Sequence, residues 1–286
     1  MIEVKNLTHI YNEETAMESV AFRDVSFTVE RGEYIGLIGH TGSGKSTLIQ
    51  HMNGLLKPTA GTVLFEGQDI FAKGYSLKKL RAKVGMVFQY PEYQLFEETV
   101  LQDVMFGPRN LGFPEREAES AALEALRLVE FPEDQIRKSP FELSGGQKRR
   151  AAIAGVLSMR PEVLILDEPA AGLDPGGRAN ILETVEKLHR ERNMTIILVS
   201  HSMDDVAAYA DRILVMDRGS LVWFDTPEAV FSHMEELESM GLSAPQLSYL
   251  ARDLNAAGFR IDPTVLTTGE AARQILSGFG AERARK

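Results

Sequence analysis

The stretch Gly39-His40-Thr41-Gly42-Ser43-Gly44-Lys45-Ser46-Thr47 decides how the rest of the chain is interpreted. It matches the spacing G-x-x-x-x-G-K-[ST], which is typical of loops that cradle phosphate groups. The apolar run at 34–38 predicts a buried strand before it, and a helical pattern begins at Lys45. This strand-loop-helix context separates a phosphate-binding loop from a glycine-rich surface turn.

The residue types in this loop suit a polyphosphate. Glycines let backbone N–H groups converge on phosphate oxygens, because they tolerate dihedral angles that a Cβ atom forbids. The helix N-terminus adds partial positive charge at the same place. Lys45 can reach the β- and γ-phosphates, and the Ser46 hydroxyl suits Mg²⁺, which prefers oxygen ligands. All nine residues of the stretch are therefore candidate nucleotide-binding residues.

Polar side chains also follow three apolar runs that predict buried strands. Gln89 ends one run, Asp167 and Glu168 end the second, and His201 follows the third. Ligands of open parallel sheets sit beyond the carboxyl ends of the strands, so we expect these side chains to meet at one edge. Asp167 suits Mg²⁺, and Gln89 suits Mg²⁺ or the attacking water. Glu168 can accept a proton from that water, and the convergence favours a γ-phosphate contact for His201.

Taken singly, these polar residues also have ordinary structural interpretations, as strand ends or as caps of the next helix. Tyr11 has two open interpretations as well. Its ring lies upstream of the phosphate loop and could stack on an adenine, or it is a strand tyrosine with a solvated hydroxyl.

A second candidate anion site opens another helix. Leu143-Ser144-Gly145-Gly146-Gln147 precedes a helical pattern from Lys148 to Leu157. Its N–H groups and helix dipole favour an anion for the same reasons as those at Lys45. The alternative is an ordinary N-cap at Ser144. One nucleotide requires only one of these two helix starts.

Composition narrows the class of protein. The 286 residues are 44% apolar and 25% charged, and cysteine is absent, which excludes disulfides and thiolate metal sites. The net charge of −10 argues against a nucleic-acid carrier, although a local basic patch such as Lys148-Arg149-Arg150 stays open. The N-terminus lacks a signal-peptide pattern, and no apolar run approaches ~20 residues. We therefore expect any link to a membrane to go through a partner.

The pattern of elements predicts two parts. Strand patterns recur up to about residue 225, interrupted by a mostly helical insertion at about 91–160. From Thr226 the strands stop, and three helical patterns follow, the first running to about Glu238 and the second over 245–257 with Leu250 on its apolar face. We expect an α/β domain at 1–225 and a small α-helical C-terminal subdomain at 226–286.

In this order the motifs resemble those of the ATP-binding cassette ATPases. The resemblance covers about residues 1–225 and rests on the phosphate loop, Gln89, the signature at 143–147, Asp167-Glu168, the loop 171–174 and His201. It implies a P-loop NTPase fold that has a mixed sheet with an antiparallel β part and a helical insertion. Ala170 stands where many members have Thr or Ser, and we expect no loss of activity from it.

The same resemblance implies a shared active site. Two cassettes pair head to tail, and each ATP lies between Lys45 of one and the 144–147 signature of the other. The resemblance places Tyr11 on adenine, makes Glu168 the general base and puts His201 on the γ-phosphate. Gln89 is a further candidate catalytic residue. ATP and Mg²⁺ are then the expected cofactors, with Ser46, Gln89 and Asp167 around the metal.

A narrower resemblance comes from the segment 88–96 and the tail from Thr226. They look like the ATPases of energy-coupling-factor importers, which take up vitamins or metal ions. This implies a second ATPase subunit, either a paralogue or another copy of this chain, and a transmembrane coupling protein that docks on the loop after Gln89. It also implies a small membrane substrate-binding protein, no nucleic acid, and a peripheral location on the cytoplasmic face of the plasma membrane.

Two other function classes fit the sequence less well. A soluble cassette ATPase that acts on ribosomes or DNA usually carries two cassettes or a long coiled-coil insertion, and the sequence shows neither. A phosphate-loop kinase or GTPase would not carry the Ser-Gly-Gly signature, and the guanine motif Asn-Lys-x-Asp is absent. The sequence therefore predicts an ATP-hydrolysing importer subunit, with the ribosome- or DNA-acting ATPase as the alternative.

Overall fold

Two β-sheets and the helices around them form the body of the molecule. The computed structural model describes residues 1–283, with side chains for residues 1–277. The strands are β1 (Ile2–Tyr11), β2 (Ser19–Val29), β3 (Tyr34–Ile38), β4 (Ala60–Phe65), β5 (Gln68–Asp69), β6 (Val84–Val87), β7 (Val163–Asp167), β8 (Thr195–Val199), β9 (Arg212–Asp217) and β10 (Ser220–Asp225). The α-helices are α1 (Lys45–Met52), α2 (Leu77–Lys83), α3 (Val100–Leu111), α4 (Glu115–Leu128), α5 (Gly145–Leu157), α6 (Pro175–Arg192), α7 (Met203–Tyr209), α8 (Pro227–Ser232), α9 (Met234–Ser239), α10 (Gln246–Ala256) and α11 (Thr268–Arg283).

The larger sheet is mostly parallel. Its strand order is β10-β9-β3-β8-β7-β6, and β10 runs antiparallel to β9. The smaller sheet is antiparallel, with the order β2-β1-β4-β5. Strands β3, β7 and β8 are buried along their whole length, as expected where both faces of a parallel sheet are covered. The predicted α/β fold with a mixed sheet and an antiparallel part is confirmed.

Two apolar cores hold the sheets and helices together. One lies between the two sheets and includes residues of α1, and the other lies between the large sheet and α3 to α6. Helix α4 shows how the helical insertion joins the second core. Its Ala118, Ala121, Ala122 and Ala125 recur at helical spacing and are all buried. This apolar stripe packs on the core, while the charged residues of α4 face outward.

One helix begins at a side-chain cap, and one predicted helix is interrupted. Helix α6 begins at Pro175, where the Asp174 carboxylate caps it by accepting a hydrogen bond from the Gly177 N–H (2.8 Å). The helix predicted from Pro227 to about Glu238 breaks at His233, whose ring stacks on Trp223 of β10 with centroids 5.0 Å apart.

The tail packs in two parts. Helices α8 and α9 contribute to a core that also includes residues of α7 and β9. Helices α10 and α11 share a separate small cluster, and Leu250, which the sequence placed on the apolar face of α10, is exposed. The boundary between 225 and 226 stays a prediction, and residues 284–286 of the predicted subdomain lie outside the described residues. Within residues 1–283, no helix combines the length and apolar character that crossing a bilayer requires.

Candidate active site

A cavity of about 560 Å³ lies beside the start of α1, at the carboxyl ends of β3, β7 and β8. Residues 19–21 of β2 form part of its wall. The residues predicted from sequence that line it are Tyr11, Thr41, Gly42, Gly44, Lys45, Ser46, Thr47, Gln89, Glu168 and His201. The parallel sheet therefore brings together side chains that are far apart in the chain.

The phosphate loop depends on glycine at two positions. Gly39 and Gly44 have φ angles of +155° and +101°, which side chains rarely adopt. A Cβ atom on Gly39 would lie 2.3 Å from the Met216 carbonyl oxygen, and one on Gly44 would lie 2.7 Å from that of Ala21. Gly44 is also the N-cap of α1 and offers no side-chain acceptor. The first N–H groups of α1 therefore have no capping side chain, which suits an anionic ligand.

Lys45 is a buried cation in the cavity wall. Its side chain amine donates hydrogen bonds to the carbonyl oxygens of Gly39 (2.7 Å) and His40 (3.0 Å). Burial lowers the pKa of Lys45, while attraction to Glu168 and Asp167 acts in the opposite direction. The ammonium group is thus held by the loop itself, next to the surface where phosphate oxygens would lie.

Ser46 and Asp167 supply neighbouring oxygen atoms. Asp167 is buried at the end of β7, and burial raises its pKa, while a hydrogen bond with the Ser46 side chain acts to lower it. A hydroxyl and a carboxylate next to a phosphate-type cavity fit Mg²⁺, a hard cation that takes oxygen ligands. Gln89, predicted near the same metal, donates a hydrogen bond from its amide nitrogen to Glu168 (2.9 Å), and a metal contact by its amide oxygen stays a prediction.

Glu168 is the centre of the polar cluster. Its carboxylate accepts a hydrogen bond from Gln89 Nε2 (2.9 Å), and its other oxygen lies 2.8 Å from His201 Nε2. The backbone of Glu168 has φ of +50°, an uncommon left-handed conformation for a residue with a side chain. The structure therefore joins the polar ends of three predicted strands around a carboxylate that an amide and an imidazole hold in place.

Tyr11 also lines the cavity. Its hydroxyl is within hydrogen-bond distance of Thr47 Oγ1 (3.0 Å), and its ring meets His9 edge-on at 4.4 Å between centroids. His9 Nδ1 in turn lies 3.1 Å from Nε2 of the buried His51 on α1. The ring is 39% exposed. Its hydroxyl bonds to the loop, and stacking on adenine stays a prediction.

Besides Asp167, three residues of the predicted phosphate loop do not line the cavity but support the rest of the loop. They are Gly39, His40 and Ser43. His40 Nε2 lies 3.0 Å from Asp217 Oδ1, and the Gly219 N–H donates to the Ser43 carbonyl (3.2 Å). The β9–β10 hairpin thus braces the loop. This role depends on β9 pairing with β3, which no local signal in the sequence reveals.

The second candidate anion site lies apart from this cavity. Ser144 Oγ accepts from the Gln147 N–H (3.4 Å), and Gln147 Oε1 accepts from the Ser144 N–H (3.0 Å). These bonds form a complete capping box at the start of α5. No residue of the stretch 144–147 lines the Lys45 cavity. Within one chain, the structure therefore does not bring the two predicted phosphate-seeking helix starts to one site.

Comparisons with known proteins agree with this geometry. The family model described as "ABC transporter" matches residues 22–171. The chain is 54% identical over 279 residues to "Energy-coupling factor transporter ATP-binding protein EcfA2" of Clostridium tetani, covering 97% of each. It is 48% identical over 287 residues to the protein of the same description from Bacillus licheniformis, covering 99% of each.

Two solved structures share the fold. One is cbiO1 from Clostridium perfringens, described as part of the ABC transporter complex cbiONQ, with a TM-score of 0.74 and 38% identity. The match covers 88% of this chain and 98% of that one. The other is MJ0796, described as a dimeric bacterial ABC transporter cassette, with a TM-score of 0.71, 30% identity, and coverage of 79% of this chain and 99% of that one.

Proposed function

The chain belongs to the ABC transporter family, and from this membership we propose that it is the ATP-hydrolysing subunit of an energy-coupling-factor importer. The observation that carries the proposal is the cavity that joins the phosphate loop to Glu168. Relatives that match nearly the whole chain are named for energy-coupling-factor transporters, which supports the transport role. The subunit would power uptake of a vitamin or a metal ion through membrane partners.

We propose a task in the hydrolysis for each side chain of the cavity. The loop N–H groups and Lys45 bind the β- and γ-phosphates and offset their charge. Glu168 accepts a proton from the attacking water while the oxygen of that water bonds to the γ-phosphorus. The bond from that phosphorus to the bridging oxygen breaks, and ADP and phosphate leave. Gln89 and His201 hold the Glu168 carboxylate, and His201 can contact the γ-phosphate.

We propose a magnesium site beside the phosphate loop. Ser46 and Asp167, with Gln89, would hold Mg²⁺, which spreads the negative charge of the phosphate oxygens when it is bound. Tyr11 would stack on the adenine. These roles are proposals that rest on the positions of the side chains.

The unused helix start at Ser144 supports a paired arrangement. Its Gly145 and Gly146 lie away from the chain's own cavity, so we assign them to the ATP bound by a second cassette, either a paralogue or another copy of this chain. The related cassette MJ0796 is described as dimeric. A transmembrane coupling protein and a membrane substrate-binding protein would complete the complex, with this chain peripheral on the cytoplasmic face of the plasma membrane.

Co-purification from membranes tests the proposal. The tagged full-length chain is expressed in its source organism, membranes are solubilised in mild detergent, and the captured proteins are identified by mass spectrometry. We expect a second cassette ATPase and at least one membrane-spanning protein, and ATP hydrolysis by the captured complex. Recovery with ribosomes and without membrane proteins would support the alternative of a ribosome- or DNA-acting ATPase instead. None of the relatives described above is named for such a role.

A further inference from the structure

Arg149 is a buried cation on α5 that has no part in the hydrolysis steps proposed above. The sequence placed it in a possible basic surface patch, Lys148-Arg149-Arg150, but the Arg149 side chain is only 2% exposed. Its Nε and Nη2 donate to the two carboxylate oxygens of Glu92 at 3.1 and 2.7 Å. The guanidinium carbon also lies 5.9 Å from the centre of the Tyr90 ring. Arg149 therefore faces the interior and does not form a nucleic-acid patch.

The same guanidinium holds a second segment of the chain. Nη1 donates to the carbonyl oxygens of Pro169 (3.1 Å) and Ala171 (2.6 Å). Pro169 follows Glu168 directly, whereas Glu92 lies three residues after Gln89. One side chain thus fastens the segments that follow both members of the Gln89–Glu168 pair. A planar guanidinium with five donors is suited to this, because it can bond a carboxylate and two carbonyls at once.

The two segments that Arg149 bonds both begin at a residue with a left-handed backbone conformation. Glu168 and Tyr90, the residue after Gln89, have φ angles of +50° and +54°. Left-handed conformations of residues with side chains persist where surrounding contacts hold them in place. Arg149 supplies such contacts within three residues of each position. Removing the contacts of Arg149 would let the backbone relax at both positions. The 2.9 Å hydrogen bond from Gln89 Nε2 to the Glu168 carboxylate would then lose its support.

Arg149 also stands near the start of α5. It is five residues after Ser144, the N-cap of this helix. Because both residues belong to one rigid helix, a shift of Arg149 would also shift the first turn. We propose that Arg149 is a positioning residue that couples the start of α5 to the Gln89–Glu168 pair. This inference rests on the proposed function. It links the start of α5, which would contact the ATP bound by the second cassette, with Glu168, which would act on the ATP bound by this chain.

The conservative change Arg149→Lys tests the coupling. Lysine keeps the positive charge but cannot bond Glu92 and the two carbonyls together. In the full-length chain, within the complex with which it co-purifies, we expect the kcat for ATP hydrolysis to fall about 10- to 100-fold, as for small misplacements of catalytic groups. The dissociation constant for ATP, measured by calorimetry, should stay unchanged, because Lys45 and the phosphate loop are untouched.

Arg109 provides a matched control. It forms a two-pronged pair with Glu115 on the surface of the same helical insertion, and its side chain is 36% exposed. Arg109→Lys removes an equivalent fork that touches neither Gln89 nor Glu168, so kcat should stay at the wild-type value. Glu92→Gln should lower kcat less than Arg149→Lys does, since Arg149 keeps its carbonyl partners.

A double variant separates positioning from simple stabilisation. Arg149→Met with Glu92→Leu replaces the buried pair by apolar side chains, which often preserves stability. If the pair only stabilises the fold, this variant should hydrolyse ATP at the wild-type kcat, and the inference is overturned. We expect the double variant to have a kcat as low as that of Arg149→Lys, with a melting temperature near that of the wild type. Should it fail to fold, Arg149→Lys still decides, because wild-type kcat in that variant also overturns the inference.

The wild-type chain separates this inference from the proposed function. If the wild-type complex does not hydrolyse ATP, or contains no second cassette, the proposed function fails. If the wild-type complex is active and Arg149→Lys is equally active, only the role of Arg149 fails.

Discussion

Helices α1 and α5 both begin where a phosphate group could bind, yet they begin differently. Helix α1 starts at Gly44 without a side-chain cap, whereas α5 starts with the complete capping box of Ser144 and Gln147. A capped helix start is satisfied by its own chain, while an uncapped one leaves N–H groups for solvent or a ligand. The first start therefore has no side chain that bonds its N–H groups, whereas side chains of the second bond the N–H groups of Ser144 and Gln147.

The glycines of the two regions differ in the same way. At Gly39 and Gly44 the chain has no room for a Cβ atom, and both φ angles are positive. At Gly145 and Gly146 a Cβ atom would meet nothing within 4 Å, and neither residue is among those with positive φ. The fold of this chain requires the first pair of glycines but not the second. The proposed approach of a partner's nucleotide to α5 would give the second pair a role.

The largest effect is expected at the chemical centre of the α1 region. Glu168→Gln removes the proton acceptor but keeps the shape of the side chain. We expect kcat for ATP hydrolysis to fall by ~10²–10⁴, with ATP still bound, because general-base catalysis contributes about that factor. Steady-state hydrolysis and calorimetric ATP binding give the two quantities. Glu119→Gln, an exposed site on α4, is the control. Turnover near the wild-type rate in a preparation free of other ATPases would remove Glu168 from its role.

A pH-dependent difference in stability should distinguish what the two helices bury. Helix α5 buries the paired Arg149, whereas α1 buries His51, whose neighbours are His9, the Thr47 carbonyl oxygen and the Phe22 ring. Burial lowers the pKa of His51 to about 4. The unfolded chain binds this proton near pH 6.5, so the stabilising contribution is complete above pH 6.5 and is lost as pH falls toward 4.

The expected size of this loss is about 3 kcal/mol between pH 6.5 and 4. We expect the free energy of unfolding of His51→Asn to fall by less over this interval, because the new side chain does not titrate. Urea titrations of both proteins at several pH values measure the difference. Parallel pH curves for the two proteins would show that His51 is not buried in its neutral form.

The sequence predicted the α1 region well because its signals are local. The motif, the strand before it and the helix after it lie within about twenty residues, and backbone geometry fixes what such a segment can bind. The polar ends at Gln89, Glu168 and His201 were also predictable, since parallel strands place their carboxyl ends at one edge. Their contacts follow from that rule, although the 2.9 Å bond between Gln89 and Glu168 could not be derived from spacing.

Other features depend on contacts between distant segments. The Lys148-Arg149-Arg150 sequence looks basic and solvated, yet Arg149 is buried because Glu92 and the turn after β7 surround it. The bracing of the phosphate loop by Asp217 and Gly219 depends on β9 lying next to β3. Helix α8 ends just before His233, whose ring stacks on Trp223 of β10. In each case the decisive partner lies on another element.

Removing the cation of the α1 region should weaken binding itself. Lys45→Ala deletes an ammonium group that would contact phosphate oxygens, and a hydrogen bond to a charged group contributes about 1.5–3 kcal/mol. We therefore expect the dissociation constant for ATP to rise about 10- to 100-fold. Calorimetric titration with ATP measures it, and Lys73→Ala at an exposed position is the control. Unchanged affinity would mean that the nucleotide binds somewhere else.

The smallest expected effects test the comparison most directly, because one substitution should act in opposite directions at the two helix starts. Gly44→Ala forces a Cβ atom toward the Ala21 carbonyl oxygen in a left-handed conformation and should lower the free energy of unfolding by about 1–3 kcal/mol. Gly146→Ala meets no atom and replaces a poor helix former, so it should raise that free energy by about 0.5–1 kcal/mol. Urea unfolding measures both. If Gly146→Ala is more stable and yet hydrolyses ATP more slowly, Gly146 is needed for a contact outside its own chain. Full activity would mean that the start of α5 is an ordinary capped helix start.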